Sequence, residues 1–340
     1  MFYFFKNFKN KIHLIFVLRI YITKNEVNKL TYQELVQKIV DLQNDGLELF
    51  NIGKSVLGKN ILATHLGSYD GTQIIIQGAI HAREYITTLL MIEQAKYLNK
   101  TGGIKNGGIY FVFLTNPDGV ELVLDGINSV ACDITKKYLI AGNGDSEDFS
   151  QFKANINLVD LNTNFDVDWG QGSQNVRCPN SQNFIGFYPN SEREVNALID
   201  FTNKIKPTLT ISYHSKGEVI YYGFTQESQI DLLRDRQIGQ QLSNLTGYSL
   251  LPTESSSGGY KDWCIRYLKI PAYTIEVGNE NLPHPIKEES LPEIFEQNKD
   301  VPLLALNLAI QYQSQINVQN INKKQQNNMF AGLFNLFRKK

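Results

Sequence analysis

Short apolar runs alternate with amphipathic helical patterns along most of this chain. The strand-like runs cover residues 61–66, 73–79, 109–114, 208–213, 219–222 and 272–277. Helical spacing of apolar residues appears at 86–98, 192–205, 229–245, 260–268 and 293–312. Strands separated by helices favour parallel pairing, with helices covering both faces of the sheet. The sequence therefore predicts an α/β fold, a three-layer α/β/α arrangement around a mixed, mostly parallel central sheet.

A capping-box pattern marks the start of the folded domain. Thr31 precedes a helical pattern over residues 32–42, and Glu34 follows three residues later. We therefore predict an N-terminal segment at 1–30, a catalytic domain at 31–314 and a polar, basic C-terminal tail at 315–340. Residues 6–18 have the order of charged and apolar regions found in a signal peptide, but Arg19 interrupts the apolar run. Cytoplasmic and secreted locations both stay open.

Charge and cysteine content exclude several classes of protein. A net charge of -1 argues against a nucleic-acid partner, because neutralising phosphates requires a basic face. The three cysteines are too few and too scattered for a disulfide framework or a cysteine-based metal site. Residues 329–337 combine aromatic, aliphatic and basic side chains, so a membrane contact of this terminus stays open beside a frayed end.

Two histidines and a glutamate stand where α/β proteins usually build their sites. His81 and Glu84 follow the run at 73–79, and His214 follows the run at 208–213. Ligands commonly bind at the carboxyl ends of the strands in such sheets. Imidazole nitrogens and a carboxylate suit zinc, and three protein ligands leave a fourth position open for catalysis. The sequence predicts one bound Zn²⁺ ion at a catalytic site.

Several ordered motifs resemble the zinc carboxypeptidase family typified by carboxypeptidase A. They are His81-Ala82-Arg83-Glu84, Asn116-Pro117-Asp118-Gly119, Val159-Asp160-Leu161-Asn162, Ser191-Glu192-Arg193-Glu194, Tyr213-His214-Ser215 and Thr274-Ile275-Glu276-Val277-Gly278. The resemblance extends over most of the chain, from Thr31 to Tyr312. It implies a carboxypeptidase-like fold and hydrolysis of an amide bond near the C-terminus of a peptide.

The resemblance also implies roles for individual residues. His81, Glu84 and His214 would bind zinc, and Glu276 would be the general base that takes a proton from the attacking water. Asp160 would accept a hydrogen bond from the other ring nitrogen of His81 and so orient it.

Three positions depart from the family pattern and alter the expected substrate. Thr163 stands where the family has an arginine that forks onto the substrate's terminal carboxylate, although Asn162 beside it still matches. Lys153 is the nearest match to the family's oxyanion-stabilising arginine. The family's substrate-capping tyrosine would fall near Glu254.

Three further residues are predicted to bind substrate. Lys261 occupies the family's side-chain specificity position, where a cation would favour a carboxylate-bearing group. Lys216 would add to that positive field, and Arg83 lies within the metal motif; both lysines are equally compatible with simple solvent exposure. These departures resemble a bacterial branch of the family, the γ-D-glutamyl-meso-diaminopimelate peptidases. The expected partner is therefore a peptide or peptidoglycan-peptide substrate.

Two other functions are compatible with the same residues. Small-molecule amidohydrolases acting on acyl-amino acids share the fold and the metal motif, but Thr163 weakens that alternative. A non-catalytic peptide-binding relative would keep the fold and lose the chemistry, and absence of bound zinc would favour it.

Overall fold

The computed structural model describes residues 29–224 and 228–315, in which eight strands form one sheet. The strands are β1 (Leu49–Lys54), β2 (Asn60–Gly67), β3 (Gln73–Gln77), β4 (Gly108–Val112), β5 (Leu209–His214), β6 (Val219–Tyr222), β7 (Ser249–Pro252) and β8 (Ala272–Glu276). The helices are α1 (Tyr32–Val40), α2 (Ile86–Thr101), α3 (Pro117–Asp125), α4 (Asp133–Gly142), α5 (Arg193–Ile205), α6 (Gln229–Thr246), α7 (Tyr260–Trp263), α8 (Leu291–Asn298) and α9 (301–315).

The sheet is mixed, with a parallel centre. Its order is β1-β2-β4-β3-β5-β8-β6-β7, and the four central strands β4, β3, β5 and β8 are parallel to one another. The pairs β1–β2, β2–β4 and β6–β8 are antiparallel. The predicted fold class is confirmed.

Hydrophobic residues pack on both faces of this sheet. On β3, Ile74 and Ile76 belong to one buried cluster and Ile75 to the other, as the alternation of side chains along a strand requires. Helix α2 contributes Leu90 to the first cluster, and α5 contributes Leu198 to the second. The sheet thus has a helical layer on each side, and both layers hold its central strands in place.

The capping box is present, because the Thr31 hydroxyl accepts from the Glu34 backbone N–H and the Glu34 carboxylate accepts from the Thr31 N–H. Across residues 29–224 and 228–315, no helix has the length and apolar character needed to cross a bilayer. The predicted N-terminal segment and C-terminal tail, including the 329–337 stretch, lie almost wholly outside the described residues.

Several elements differ from the sequence expectation. Strands β1 and β7 and helices α3 and α4 were not predicted. The helix predicted at 293–312 is two helices, because the chain turns at residues 299–300. The helix predicted at 260–268 changes after Trp263 into a π-helical turn, Cys264–Leu268.

Candidate active site

The predicted metal ligands and base meet at the carboxyl ends of three neighbouring parallel strands. His81 follows β3, His214 ends β5, and Glu276 ends β8. His214 and Glu276 are direct partners in the β5–β8 register, so strand pairing places the predicted base beside a predicted metal ligand. The structure therefore brings together residues that are far apart in sequence.

A tight turn after β3 directs His81 into the site. A Cβ on Gly78 would lie 2.6 Å from the Met91 side chain and 2.8 Å from the Thr87 hydroxyl, so only glycine fits against α2. Ala79 has a φ of 48°, in the left-handed region. Its N–H donates to the Thr87 hydroxyl at 2.8 Å, which holds this conformation. Helix α2 thus fixes the turn that precedes the first ligand.

His81, Glu84 and His214 form a compact, buried group of possible metal donors. His81 Nδ1 lies 2.9 Å from Glu84 Oε1, and His214 Nδ1 lies 3.0 Å from Glu84 Oε2. The two Nδ1 atoms are 3.1 Å apart. His81 Nε2 faces the Asp160 carboxylate at 3.2 Å, which favours the proton on Nε2 and leaves a lone pair on Nδ1.

This arrangement fits a zinc ion. The two Nδ1 atoms converge with two carboxylate oxygens. When both imidazoles are neutral with their lone pairs on Nδ1, these acceptors repel one another unless a cation lies between them. Burial opposes ionisation of Glu84, yet the two histidines hold its pKa well below the usual range. The carboxylate is therefore ready to bind a cation, and two imidazoles with one carboxylate make a donor set that suits catalytic zinc.

Asp160 supports the first ligand from behind. Its Oδ1 faces His81 Nε2 and accepts from the Asn162 N–H at 3.1 Å. Its Oδ2 lies 3.2 Å from Lys153 Nζ and accepts from the Asn183 N–H at 3.1 Å. Burial would raise the pKa of Asp160, but the Lys153 ammonium and His81 hold it far below the usual value. Lys153 thus lies close to the three possible metal donors, and its ammonium is already paired with the Asp160 carboxylate.

Glu276 lines a cavity of about 490 Å³ beside the metal donors, which we call the main cavity. His81, Asn162, His214, Glu254 and Lys261 are among the residues around it. Burial and the nearby Glu84 carboxylate raise the pKa of Glu276 to about 8. A carboxylate that titrates near neutral pH can both accept and release a proton, as a general base must.

The substrate-binding predictions have different settings. Asn162 lines the cavity, and its Oδ1 accepts from the Tyr260 N–H at 3.1 Å. Lys261 also lines it, but it is buried and its Nζ donates to Asp262 Oδ1 and to the Gly223 carbonyl. The charge of Lys261 is thus largely offset by a neighbouring carboxylate.

Arg83 and Lys216 are held by backbone carbonyls around the site. Arg83 Nη1 donates to the Gln151 carbonyl at 3.1 Å, and Lys216 Nζ donates to the Glu280 carbonyl. Neither side chain is among those that line the main cavity. Their roles in binding stay predictions, as do those of Lys153, Asn162 and Lys261.

Sequence reasoning missed Thr274 and Tyr221, which also line the cavity. Thr274 lies two residues before Glu276 on β8, so strand periodicity places it on the same face. Tyr221 pairs with Thr274 across the β6–β8 register, a contact that no sequence pattern indicated.

Comparison with known proteins agrees with this geometry. The zinc carboxypeptidase family model matches residues 32–300. The chain belongs to the zinc carboxypeptidase family. It is 34% identical over 251 residues to a Lysinibacillus sphaericus protein named gamma-D-glutamyl-L-diamino acid endopeptidase 1, covering 70% of this chain and 62% of that relative. It is 27% identical to bovine carboxypeptidase A1, covering 62% of this chain and 52% of that relative.

A solved structure shows the same fold. Carboxypeptidase A from Helicoverpa armigera matches with a TM-score of 0.63 and 19% identity, over 83% of this chain and 74% of that chain. At this identity the likeness establishes the fold alone. The chain spans less than two thirds of the length of the Lysinibacillus and bovine relatives.

Proposed function

We propose that this protein is a zinc-dependent peptidase that hydrolyses the amide bond between a γ-D-glutamyl group and a diamino acid in cell-wall peptides. The observation that carries the proposal is the placement of Glu276 beside His214, next to three buried donors arranged for one metal ion. The name of the Lysinibacillus relative supports this substrate class.

The residues around the metal donors supply the remaining chemistry. Zinc, when bound to His81, Glu84 and His214, lowers the pKa of a water molecule and polarises a carbonyl group. Glu276 would take a proton from the attacking water and deliver it to the departing nitrogen, so that the amine leaves neutral. Lys153 and Asn162 would donate hydrogen bonds to the oxygen that gains negative charge during attack.

Retention of Glu276 and Asp160 favours an enzyme over a non-catalytic relative. A buried carboxylate with a raised pKa weakens folding when it ionises, so a protein that only binds peptides has no use for it in this position. The Lys261–Asp262 pair would present one remaining ammonium N–H to a polar group of the diamino acid side chain.

The test compares two substrates with the zinc-loaded wild type and Glu276→Gln. One is a γ-D-Glu-diaminopimelate muropeptide and the other is a peptide ending in free Phe. We expect hydrolysis of the muropeptide alone, and a loss of about 10²–10⁴-fold in kcat for the variant, which should still bind zinc. Release of Phe with the muropeptide untouched would overturn the substrate assignment. Activity unchanged in Glu276→Gln would overturn the mechanism.

A further inference from the structure

Glu254 is the carboxylate of the main cavity that the proposed chemistry does not use. Among the described residues that line this cavity, the acidic and basic side chains other than histidine are Glu254, Lys261 and Glu276. The Lys261 ammonium donates to Asp262, and Glu276 is the proposed base. One carboxylate of the cavity therefore has no role in the mechanism so far.

The backbone is anchored on both sides of Glu254. Before it, the Thr253 N–H donates to the Tyr222 carbonyl at 3.0 Å. After it, the Ser255 carbonyl accepts from the Ser173 N–H at 3.1 Å. The Glu254 side chain is exposed, and it forms no hydrogen bond or ion pair with any other residue in the described part of the chain. Its backbone is thus held at the cavity wall, while its carboxylate is free to change rotamer and meet a ligand.

Apolar side chains lie beside this carboxylate. Leu251 and Pro252 end strand β7 and line the same cavity, and Leu251 is 44% exposed. Tyr221, its direct partner in the β6–β7 register, also lines the cavity. A long side chain with a charged end packs its methylene groups on apolar surface while the charge contacts a polar partner. This part of the cavity therefore suits an aliphatic side chain that ends in a cation.

We propose that Glu254 is a specificity-determining residue whose carboxylate binds the distal ammonium group of the diamino acid. The methylene groups of that side chain would pack against Leu251 and Tyr221. Hydrogen bonds between an ammonium and a carboxylate are stronger than those between neutral groups, and a second carboxylate in the same place would be repelled. This inference rests on the proposed function and deepens it, because it assigns the selection of one substrate group to one residue.

Three peptides that differ only in the residue after γ-D-Glu test the proposal with the zinc-loaded protein. That residue is lysine, norleucine or 2-aminoadipate, so its side chain ends in an ammonium, a methyl or a carboxylate group. We expect kcat/KM to be about tenfold higher for the lysine peptide than for the norleucine peptide, and lowest for the aminoadipate peptide. Equal values for the lysine and norleucine peptides would overturn the proposal.

Two substitutions of Glu254 test whether this residue makes the selection. Glu254→Gln should lower the lysine-to-norleucine ratio of kcat/KM to within about twofold of one. Glu254→Lys should make the aminoadipate peptide a better substrate than the lysine peptide. Each ratio is taken within one variant, so a smaller folded fraction cancels. A wild-type ratio in Glu254→Gln would overturn the proposal.

Glu147→Gln is the matched control. Glu147 is also exposed, does not line the main cavity, and forms no hydrogen bond or ion pair within the described residues. The substitution changes the net charge by the same amount and should keep the wild-type ratio. An equal loss of the ratio in Glu147→Gln would overturn the proposal, because it would assign the preference to net charge.

Salt gives a readout that a purely structural role of Glu254 would not move. Because the Glu254 side chain is exposed, raising the ionic strength from about 0.05 M to about 0.5 M should lower the wild-type ratio and leave that of Glu254→Gln nearly constant. A wild-type ratio that does not respond to salt would contradict an ionic contact.

Calorimetric titration of zinc-loaded Glu276→Gln with the lysine and norleucine peptides separates binding from hydrolysis. Tighter binding of the lysine peptide, lost when Glu254→Gln is added, supports the proposal, and equal binding of the two peptides overturns it. If the wild type hydrolyses none of the peptides while this difference in binding remains, the proposed function fails and the role of Glu254 stands. Hydrolysis of all three peptides at equal rates would support the proposed function and overturn this inference.

Discussion

Replacement of Asp160 by Asn should weaken zinc binding without removing any metal ligand. Each oxygen of the Asp160 carboxylate has two partners. Oδ1 accepts from His81 Nε2 and from the Asn162 N–H. Oδ2 accepts from the Lys153 ammonium and from the Asn183 N–H. An amide has one acceptor oxygen, and its NH₂ group can only donate. The Lys153 ammonium attracts the amide oxygen to its own side, so the NH₂ group faces His81 Nε2, and His81 loses its acceptor.

The expected magnitude follows from the role of this contact. Loss of the partner that orients a metal-binding histidine typically lowers metal affinity by about 10–100-fold, which corresponds to roughly 1.4–2.7 kcal/mol. The dissociation constant for zinc can be measured by competition with a chromophoric chelator, independently of hydrolysis. Asp168→Asn is the matched control, since Asp168 pairs with Arg266 at 2.9 Å and does not line the main cavity.

An unchanged zinc affinity in Asp160→Asn, within about twofold, would refute the reasoning. It would mean that packing alone orients His81 and that the tautomer does not depend on the carboxylate. An equal loss in Asp168→Asn would point instead to a general effect on stability.

Three further predictions concern stability. Burial, with the Asp118 and Glu192 carboxylates nearby, raises the pKa of Glu194 to about 7 from an ordinary 4.5. Between these two pKa values the folded protein keeps a proton that the unfolded chain releases, so the free energy of unfolding falls as pH rises. From pH 5 to pH 8 the free energy of unfolding of Glu194→Gln, measured with urea, should therefore rise by about 2 kcal/mol relative to that of wild type. Parallel plots of the two unfolding free energies against pH would contradict this. Gly258→Ala should lower the free energy of unfolding by more than about 1 kcal/mol, because Gly258 has a φ of +82° and an added Cβ would lie 2.6 Å from the Thr163 carbonyl oxygen. An unchanged unfolding midpoint would contradict this. Chelation of zinc should lower the unfolding temperature, because free zinc at about 100 times its dissociation constant adds roughly 2.7 kcal/mol to the free energy of unfolding. Identical unfolding curves with and without zinc would show that the three donors bind no metal.

Sequence patterns predicted the central strands because their apolar runs are continuous and bounded by polar residues. Strand β1 escaped prediction because Asn51 and Gly53 interrupt it, and its register shifts between these two residues. Strand β7 is a four-residue edge strand that ends at Pro252. Helix α3 had a usable signal, an Asn116 cap followed by proline, but the same residues are typical of a turn.

Within the site, strand ends and motif order were enough to predict that His81, Glu84, His214 and Glu276 lie together, and their roles stay predictions. The charge balance around them was not predictable. The pairing of Lys261 with its sequence neighbour Asp262 depends on side-chain directions, and the contact of the Lys261 ammonium with the Gly223 carbonyl, 38 residues away, forms only in the folded protein. Such contacts between distant residues leave no periodic signal in the sequence.

The chain order of the site residues has a consequence for biosynthesis. A ribosome releases His81 and Glu84 early, His214 on β5 more than a hundred residues later, and Glu276 on β8 last. A nascent chain that has not yet formed β5 has only two of the three donors, so tight metal capture must await the central sheet. Because Glu276 ends β8, a nascent fragment that stops before β8 lacks the predicted base and cannot carry the complete proposed site.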